Sequence, residues 1–544
     1  MRRNLLITPL VVATGLIACT DLLNEDPKGF TTTDTFYKTG ADLNSATIAV
    51  YSALGGGNWD GLQGFGQWTA PELASDQARF DNREPNYNTR SPDFIDWTPT
   101  TGQTGGYWDV MYRVITRANL VLSKGPGISS VNQQMKDYNL AEAKFLRGYA
   151  YLWLTKVYDG VPLLLTPEEQ ANRRPTRTPF EQVHQAIIQD LTDARAALPE
   201  VWPTADGFNV PTQGRATKGA AEMALADLYL WRSSFLGKND WQLASDWADS
   251  VIRSGTWQLN DSYLGTFRPA NKGNREMIFY ISNTGLDART SSVFQLFYYP
   301  RDWGLDLGQG GGWGLIHPSA WFYNSYRTGD YRRSSGSGYS SDSAYVSGGC
   351  GLSNMCATPL GDGPMSWKYR KSDNGATWWL GDVDVPLYRY AEAILIYAEA
   401  QNELGKTGTA IQYLNMIRAR VRNGTGGQSR TEPADYPNSG DTLGLRDAIF
   451  MERAWEFAFE AKRWFDLVRR DSEEPGSWAN SLVVHDSISA ALGDDQGVTR
   501  VSRATALTYK KRFPIPQGQI DANPALCQNP GYGGTACPSG VTVP

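Results

Sequence analysis

The chain has 544 residues, of which 41% are hydrophobic and 20% charged, a globular composition with length for roughly two to four domains. Its formal charge is -6, acids and bases are interspersed, and 12% of the residues are aromatic. Because no run of Lys and Arg offers contacts to phosphates, this composition argues against a nucleic-acid-binding protein.

The N-terminus has the features of an export signal. Two arginines precede an apolar run, Leu5–Ile17, whose 13 residues are too few to span a membrane. The run ends in Leu16-Ile17-Ala18-Cys19, which resembles the bacterial lipoprotein signal, where cleavage precedes a Cys that is then diacylated. We therefore predict a signal peptide over 1–18 and a tether over 19–37, anchored to a membrane by lipid on Cys19. The alternative is an ordinary cleaved signal with an incidental Cys.

Four cysteines follow Cys19, an even number in a chain predicted to be exported. They form two local pairs, which predicts disulfides between Cys350 and Cys356 and between Cys527 and Cys537. A zinc site is the alternative for four cysteines, but the spacings are not CxxC and the two pairs lie far apart in the sequence.

Helical periodicity dominates the chain. Two hairpins of roughly tetratricopeptide-repeat length, 217–254 and 386–422, carry small Ala residues that let a second helix approach closely, and about four such pairs are predicted. The stretch 443–471 has apolar residues at helical spacing and no Gly or Pro after Gly444, which predicts one long amphipathic helix. The predicted helices are 42–54, a short piece at 71–79, 107–122, 138–158, 178–198 with a Thr cap, 217–236, 240–254, 386–404, 407–422 and 443–471.

Residues 270–383 differ from the helical parts of the chain. A strand is predicted at 276–282, after which Gly, aromatic and polar residues form loop-like sequence. The fold prediction is therefore mainly α. It combines helix pairs with an irregular, loop-rich half that contains a few short strands.

Four segments together resemble the SusD/RagB family of lipid-anchored outer-membrane nutrient-binding proteins. They are Cys19 followed by DLLNEDPKGF, VPLYRYAEAILIYAEAQNELG (385–405) with LNMIRARV after it, ERAWEFAFEAKRWFDLVR (452–469), and FPIPQGQIDANPALCQNPGY (513–532). The resemblance covers essentially the whole chain. It implies a single SusD-like domain over 38–544, with the aromatic ligand-binding region at 270–383 and the family signature at 384–544.

The resemblance also implies a function. Members of the family sit over a SusC-like TonB-dependent barrel in the outer membrane, where they capture oligosaccharide or another nutrient and pass it to the barrel. The expected protein faces the cell exterior, is not an enzyme and needs no cofactor. The alternatives are a surface assembly or lid protein for a non-sugar nutrient such as peptides, and a surface glycoside hydrolase.

Aromatic residues in the predicted loops are the candidates for a glycan site. A flat Trp or Tyr ring covers the apolar C–H face of a sugar, while polar neighbours bind its hydroxyl groups. The resemblance places ligand loops after the first helix and in the middle of the chain. The candidate rings are Trp59, Trp68, Trp303, Trp313, Trp321 and Tyr323, and the candidate polar partners are Asp76, Arg79, Asn82, Arg83 and Asn86.

Two acidic motifs have both a chemical and a structural interpretation. Glu456 and Glu460 lie one turn apart and could serve as the acid and nucleophile of a glycosidase, but pairing with Arg453 and Arg463 is the favoured role. Asp382–Asp384 could bind a structural Ca²⁺, although capping or loop structure is the simpler explanation. The three His of the chain are scattered and predict no metal cluster.

Overall fold

The computed structural model describes most of the chain from residue 36 onward. The described ranges are 36–56, 61–80, 92–93, 95–203, 214–287, 290–298, 313–330, 332–333, 355–357, 364–366, 368–369, 380–423, 430–438, 440–477 and 508–542. The predicted signal peptide, Cys19 and most of the tether lie outside these ranges. Within them, no helix combines the length and the apolar character needed to cross a bilayer.

Helices make up most of the described chain, as the sequence predicts. In chain order they are α1 (Gly40–Gly55), α2 (Phe65–Leu73), α3 (Gly102–Lys124), α4 (Gln133–Tyr158), α5 (Pro167–Gln170), α6 (Phe180–Ala197), α7 (Lys218–Ser234), α8 (Trp241–Arg253), α9 (Ala320–Ser325), α10 (Tyr390–Glu403), α11 (Thr407–Asn423), α12 (Thr442–Glu456), α13 (Arg463–Glu473) and α14 (Gln517–Ala522).

Local sequence determines where several of these helices begin. At α1, the Thr39 hydroxyl accepts a hydrogen bond from the Asp42 N–H (3.2 Å) and the Asp42 carboxylate accepts one from the Thr39 N–H (2.8 Å), which is a capping box. At α6 the predicted Thr cap is wrong. Pro179 precedes the first helical residue, and the Thr178 hydroxyl accepts a hydrogen bond from the Leu163 N–H instead.

Eight of the described helices pack as four pairs: α1 with α3, α4 with α6, α7 with α8, and α10 with α11. Successive pairs contact each other, α3 against α4, α6 against α7, and α8 against α10. Fully buried alanines such as Ala220, Ala224, Ala391 and Ala398 let neighbouring helices approach closely. The predicted mainly helical fold with about four tetratricopeptide-like pairs is confirmed.

The described strands are short and form two-stranded pairs. Two of the predicted helices are shorter than expected, because part of each forms a strand. The helix predicted at 386–404 begins only at Tyr390, because the residues before it pair with the predicted strand at 276–282. The piece predicted at 71–79 ends at Leu73, because the chain then extends to form a strand. The antiparallel pairs are β1 (Ala78–Phe80) with β3 (Ile316–Pro318), β2 (Met277–Ile281) with β6 (Val385–Arg389), and β4 (Met355–Ala357) with β5 (Pro364–Ser366).

The long helix predicted over 443–471 is broken in two. α12 ends, the backbone turns through residues 457–462, and α13 begins. Phe459 and Ala461 adopt left-handed conformations with φ of 62° and 55°, which are unfavourable for residues with a side chain. The Tyr369 hydroxyl donates a hydrogen bond to the Phe459 carbonyl at 2.7 Å and helps to hold the turn. The break does not need Gly or Pro, since contacts from distant parts of the chain stabilise it. The local sequence therefore gives no sign of it.

The C-terminal segment 508–542 packs back against the helices. Phe513 stacks on Trp464 of α13 with the ring centroids 5.0 Å apart, and both rings are buried. The structure contains the Cys527–Cys537 disulfide, which closes a local loop in this segment. The other predicted disulfide, Cys350–Cys356, lies outside the described side chains and stays a prediction.

Candidate ligand-binding face

The structure divides the predicted site residues into three groups. Trp68, Asp76 and Arg79 are 1%, 0% and 1% exposed. They cannot touch a ligand at the surface, so their predicted binding role is wrong. By contrast, Trp313, Trp321 and Tyr323 are each partly exposed. Outside the described residues lie Trp59, Asn82, Arg83, Asn86 and Trp303, for which ligand contact stays a prediction.

The three buried residues have structural roles in and around α2 and β1. Asp76 forms a two-pronged ion pair with Arg463, and both N–O distances are 2.8 Å. The Arg79 Nε lies 3.7 Å from an Asp93 oxygen, and Trp68 is part of the hydrophobic core. A buried charge needs a partner in the fold, and a sequence pattern does not distinguish such a partner from a ligand.

Trp321 and Tyr323 lie on α9, a short helix that the core holds in place. The Ser319 hydroxyl caps this helix by accepting a hydrogen bond from the Phe322 N–H (3.1 Å), and the Ser319 N–H donates to the Gln77 carbonyl (2.8 Å). Phe322 is fully buried. Its two neighbours in sequence pack against the core with part of each ring, and the rest of each ring is exposed.

Trp313, just before β3, is fixed by its backbone as well as by its ring. Its N–H donates to the Leu296 carbonyl at 2.8 Å, and the Leu315 N–H donates to the Phe297 carbonyl at 2.9 Å. The ring centroids of Trp313 and Phe297 lie 5.7 Å apart. A ring fixed in this way loses little conformational freedom when a ligand binds.

Two polar side chains beside these rings were missed in the sequence. The Arg333 guanidinium lies 4.7 Å from the Tyr323 ring centroid, and its Nη2 donates to Asn324 Oδ1 at 3.3 Å. Their only sequence signal is that they follow the aromatic residues closely. We define the aromatic face as the side chains of Trp313, Trp321, Tyr323, Asn324 and Arg333. Its rings can cover the C–H face of a sugar, and its amide and guanidinium can bind polar substituents.

The segment that follows α9 is attached to α12 by buried contacts. The Tyr326 hydroxyl donates to the Trp455 carbonyl at 3.2 Å, and the Trp455 indole N–H donates to the Ser325 hydroxyl at 3.0 Å. Arg332 has no exposed surface and forms an ion pair with Glu452 at 2.8 Å. The aromatic face therefore rests on a packed support.

Arg332 belongs to a large buried ion-pair cluster below the aromatic face. At another part of this cluster, Arg389 contacts Glu276 (2.8 Å), Glu456 (2.7 Å) and Glu460 (2.8 Å). Cations and anions are equal in number, which reduces the cost of burying so many charges. The members are Glu276, Asp330, Arg332, Lys368, Arg389, Arg418, Arg420, Glu452, Glu456 and Glu460.

The two carboxylates considered as catalytic are in this cluster. Burial alone would raise the pKa of Glu456, but Arg420 and Arg389 outweigh burial and hold its pKa well below the ordinary value. Burial is likewise outweighed by Arg389 and Lys368 at Glu460, whose pKa is also lowered. A glycosidase acid needs a raised pKa and contact with the substrate. Neither carboxylate has either property, so the catalytic interpretation is wrong.

The predicted partners of these carboxylates also form ion pairs elsewhere. Arg453 Nε donates to the Asp466 carboxylate at 3.0 Å, and Arg463 pairs with Asp76. The turn at 457–462 ends the helical register, so spacings counted along one continuous helix do not apply across it. The predicted pairing of Glu456 and Glu460 with Arg453 and Arg463 is wrong, because all four side chains form ion pairs with other residues.

The Asp382–Asp384 motif has a structural partner. The Asp384 carboxylate forms an ion pair with Lys272 and accepts a hydrogen bond from the Asn283 N–H at 3.0 Å. This is the loop role that the sequence favoured over Ca²⁺ binding. In the part of the chain that the structure describes, no three His, Cys, Asp or Glu side chains come together as metal ligands do.

Comparisons with known proteins agree with this architecture. Two family sequence models match the chain, one described as the SusD family over residues 341–532 and one described as "Starch-binding associating with outer membrane" over residues 42–230. Together they span more than half of its length.

Relatives and solved structures match over nearly their whole length. The SusD-like protein P25 of Formosa agariphila is 24% identical, over 94% of this chain and 95% of its own. The starch-binding protein SusD of Bacteroides thetaiotaomicron is 24% identical, over 96% and 97%. The crystal structure of a SusD homologue from Bacteroides thetaiotaomicron superposes with a TM-score of 0.73 and 22% identity, covering 92% of this chain and 98% of that one. From the two family matches, the full-length relatives and the shared fold, the chain belongs to the SusD/RagB family.

Proposed function

We propose that this protein captures oligosaccharides at the cell surface and delivers them uncleaved to a SusC-like TonB-dependent transporter, while lipid on Cys19 holds it at the outer membrane. The observation that carries the proposal is the aromatic face, whose partly exposed rings and polar side chains lie on segments that the core holds in place. The description of one matching family model and the starch-binding name of one relative support the same class of ligand.

The form of the aromatic face suits capture followed by release. A sugar ring that packs on Trp321 or Trp313 gains contact area, but its hydroxyl groups exchange hydrogen bonds with water for hydrogen bonds with protein, so the net gain per contact is small. Moderate affinity with fast release is what transfer to a transporter requires.

In the proposed function the protein does not cleave the oligosaccharide. The aromatic face, as defined, contains no carboxylate, whereas glycoside hydrolysis requires a pair of them beside the scissile bond. Glu456 and Glu460 are buried within the ion-pair cluster and hold Arg389. We therefore expect no new reducing ends when the protein is incubated with the oligosaccharide that it binds best.

Replacing Trp321 tests the proposed site. The mature protein is titrated calorimetrically against a panel of neutral and acidic oligosaccharides, and the measurement is repeated with Trp321→Ala. We expect the variant to bind on the order of tenfold more weakly, because a ring that packs directly on the ligand is lost.

A matched control uses a Trp outside the aromatic face. Trp247 on α8 is also partly exposed, and Arg195 lies 5.2 Å from its ring centroid. Trp247→Ala should leave the affinity unchanged. A glycan whose affinity is unaffected by both Trp321→Ala and Trp313→Ala would show that the binding site lies elsewhere. Binding of peptides and of no glycan would favour the lid for a non-sugar nutrient.

A further inference from the structure

We infer that the aromatic face selects acidic oligosaccharides, and that the Arg333 guanidinium pairs with a carboxylate or sulfate group on the sugar. This inference rests on the proposed function, since it names the class of glycan that the same face takes. It starts from Arg333, whose guanidinium lies beside the Tyr323 ring and, among the residues that the structure describes, forms no ion pair with a carboxylate.

The environment of Arg333 leaves most of its hydrogen-bonding capacity unused. A guanidinium has five N–H donors, and the side-chain contact that Arg333 makes with another polar group is the single bond to Asn324 at 3.3 Å. Within the described ranges, no carboxylate forms an ion pair with it. The Tyr323 ring supports one face of the guanidinium at 4.7 Å. Its edge is therefore free for the two parallel hydrogen bonds that a carboxylate or sulfate accepts.

A second arginine that stacks on an aromatic ring, Arg195, provides a comparison for Arg333. Arg195 lies over the Trp247 ring at 5.2 Å, much as Arg333 lies over Tyr323. Arg195, however, also donates to the Glu222 carboxylate at 2.9 Å, which neutralises it. An arginine in this protein can therefore stack on an aromatic ring and pair with a carboxylate at the same time. Among the residues that the structure describes, Arg333 differs from Arg195 in having no such carboxylate beside it.

The loop that carries Arg333 also carries Arg327, whose charge a carboxylate neutralises only in part. Two successive turns, in which the Asp330 N–H bonds the Arg327 carbonyl (3.0 Å) and the Arg333 N–H bonds the Asp330 carbonyl (3.1 Å), keep the two arginines on one compact loop. The Arg327 side chain is 47% exposed and lies 3.7 Å from Glu432, a loose and solvated pair. Asp330 is buried and paired with Arg332.

Arg327 and Arg333 are opposite in sign to the charge of the protein as a whole, which is formally -6. Charges are screened over about 8 Å at physiological ionic strength, so an anionic sugar on the aromatic face responds to the nearby arginines and little to distant acids. The overall negative charge disfavours unspecific attachment of a polyanion to other surfaces. The two effects together favour acidic glycans at this one place.

Two matched ligand series test the inference by calorimetric titration of the mature chain. One series compares oligogalacturonides with their fully methyl-esterified forms, and the other compares sulfated with unsulfated laminari-oligosaccharides. We expect the anionic member of one series to bind on the order of tenfold more tightly than its neutral counterpart. This preference should shrink between about 0.05 and 0.5 M NaCl. A preference in the galacturonide series would identify a carboxylate as the recognised group. A preference in the laminari-oligosaccharide series would identify a sulfate.

Substitutions then locate the preference. Arg333→Gln should abolish it without changing the affinity for the neutral member, and Arg333→Lys should keep part of it, because the charge remains but the paired hydrogen bonds are lost. Arg253→Gln is the control, since Arg253 on α8 is highly exposed and its loss changes the net charge by the same amount. Thermal unfolding of each variant checks that the fold is intact.

The outcomes separate the inference from the proposed function. If anionic and neutral members bind equally and Trp321→Ala weakens both, the inference is overturned and the proposed function stands. A preference for anions that survives Arg333→Gln also overturns the inference. If no glycan of either series binds, the inference is overturned, and the titration against the wider oligosaccharide panel decides separately whether the proposed function stands.

Discussion

Aromatic residues in this protein serve two purposes, and burial decides between them. Trp68 and Trp321 both lie in stretches where Gly and aromatic residues suggested ligand loops. Trp68, however, is 1% exposed, and its indole N–H points at the Phe459 carbonyl from 3.4 Å. Trp321 is partly exposed on α9. The difference follows from the pairing of β1 with β3, which brings together parts of the chain more than two hundred residues apart.

His184 on α6 should control the stability of the protein in mild acid. Both ring nitrogens are buried without a hydrogen-bond partner, and burial, reinforced by Arg232 and Lys238, lowers its pKa to about 3. Below a pH of about 6.5 the unfolded chain binds a proton that the folded chain does not accept until about pH 3. Stability is therefore lost as the pH falls through this range, by about 2 kcal/mol at pH 5.

The substitution His184→Phe tests this account. Phe keeps an aromatic ring beside Phe180, whose centroid lies 5.9 Å from that of His184, and it cannot be protonated. Urea unfolding at pH 7.5 and pH 5 should show that the variant loses less stability than the wild type over this interval. An identical loss in both proteins would mean that another group is responsible.

At the scale of elements, the turn at 457–462 connects the helical and loop-rich parts of the protein. Its carbonyls accept hydrogen bonds from the segment after β5: Lys368 donates to Ala458 at 2.9 Å, and Tyr369 donates to Phe459 at 2.7 Å. The left-handed residues of the turn are unfavourable in isolation. Contacts from a distant segment are therefore part of what keeps α12 and α13 apart.

Removing one of these contacts should loosen the turn without unfolding the protein. Tyr369→Phe deletes the hydroxyl that donates to Phe459 and should cost about 1 kcal/mol. Tyr112→Phe is a matched control, because its hydroxyl also donates to a backbone carbonyl, that of Pro162, at 2.7 Å. Hydrogen exchange at residues 457–462 should rise only in Tyr369→Phe. Equal exchange in both variants would contradict the assigned role.

The sequence predicted elements well where local chemistry determines them. The helices 42–54, 217–236 and 240–254 were placed within a few residues, because capping groups and apolar periodicity are properties of the segment itself. The break after α12 and the strand at 385–389 were missed, because each depends on a partner from elsewhere in the chain. The same reason explains why Asp76 was assigned to a ligand and not to Arg463.

For the molecule as a whole, the proposed function requires three separate parts to act together. In this proposal the lipid on Cys19 would provide attachment, the aromatic face would provide capture, and a transporter would receive the ligand. Of these, sequence reasoning placed Trp313, Trp321 and Tyr323 on the aromatic face but missed Arg333, because a lone arginine after a loop has no distinguishing pattern. Substitutions that affect one part at a time can separate the three roles.

In cells, Cys19→Ala and Trp321→Ala should give different defects. Loss of the predicted lipidation site should move the protein from the membrane fraction to the soluble fraction, because a cleaved chain without lipid has no anchor. Trp321→Ala should leave it in the membrane fraction and bound to a TonB-dependent transporter, while uptake of the glycan falls. Fractionation and affinity copurification measure these outcomes. Retention of Cys19→Ala in the membrane would contradict the anchoring proposal, and the absence of a copurifying transporter would contradict delivery.

The attachment of Arg332 to the buried cluster limits how the aromatic face can be exchanged for that of another protein. Replacing the segment 313–333 by its counterpart from another protein looks like a simple loop exchange. Arg332, however, pairs with Glu452 and Glu456 and is itself paired with Asp330, and leaving a buried charge unpaired costs several kcal/mol. A successful graft must end before Tyr326 or carry both charged residues with it.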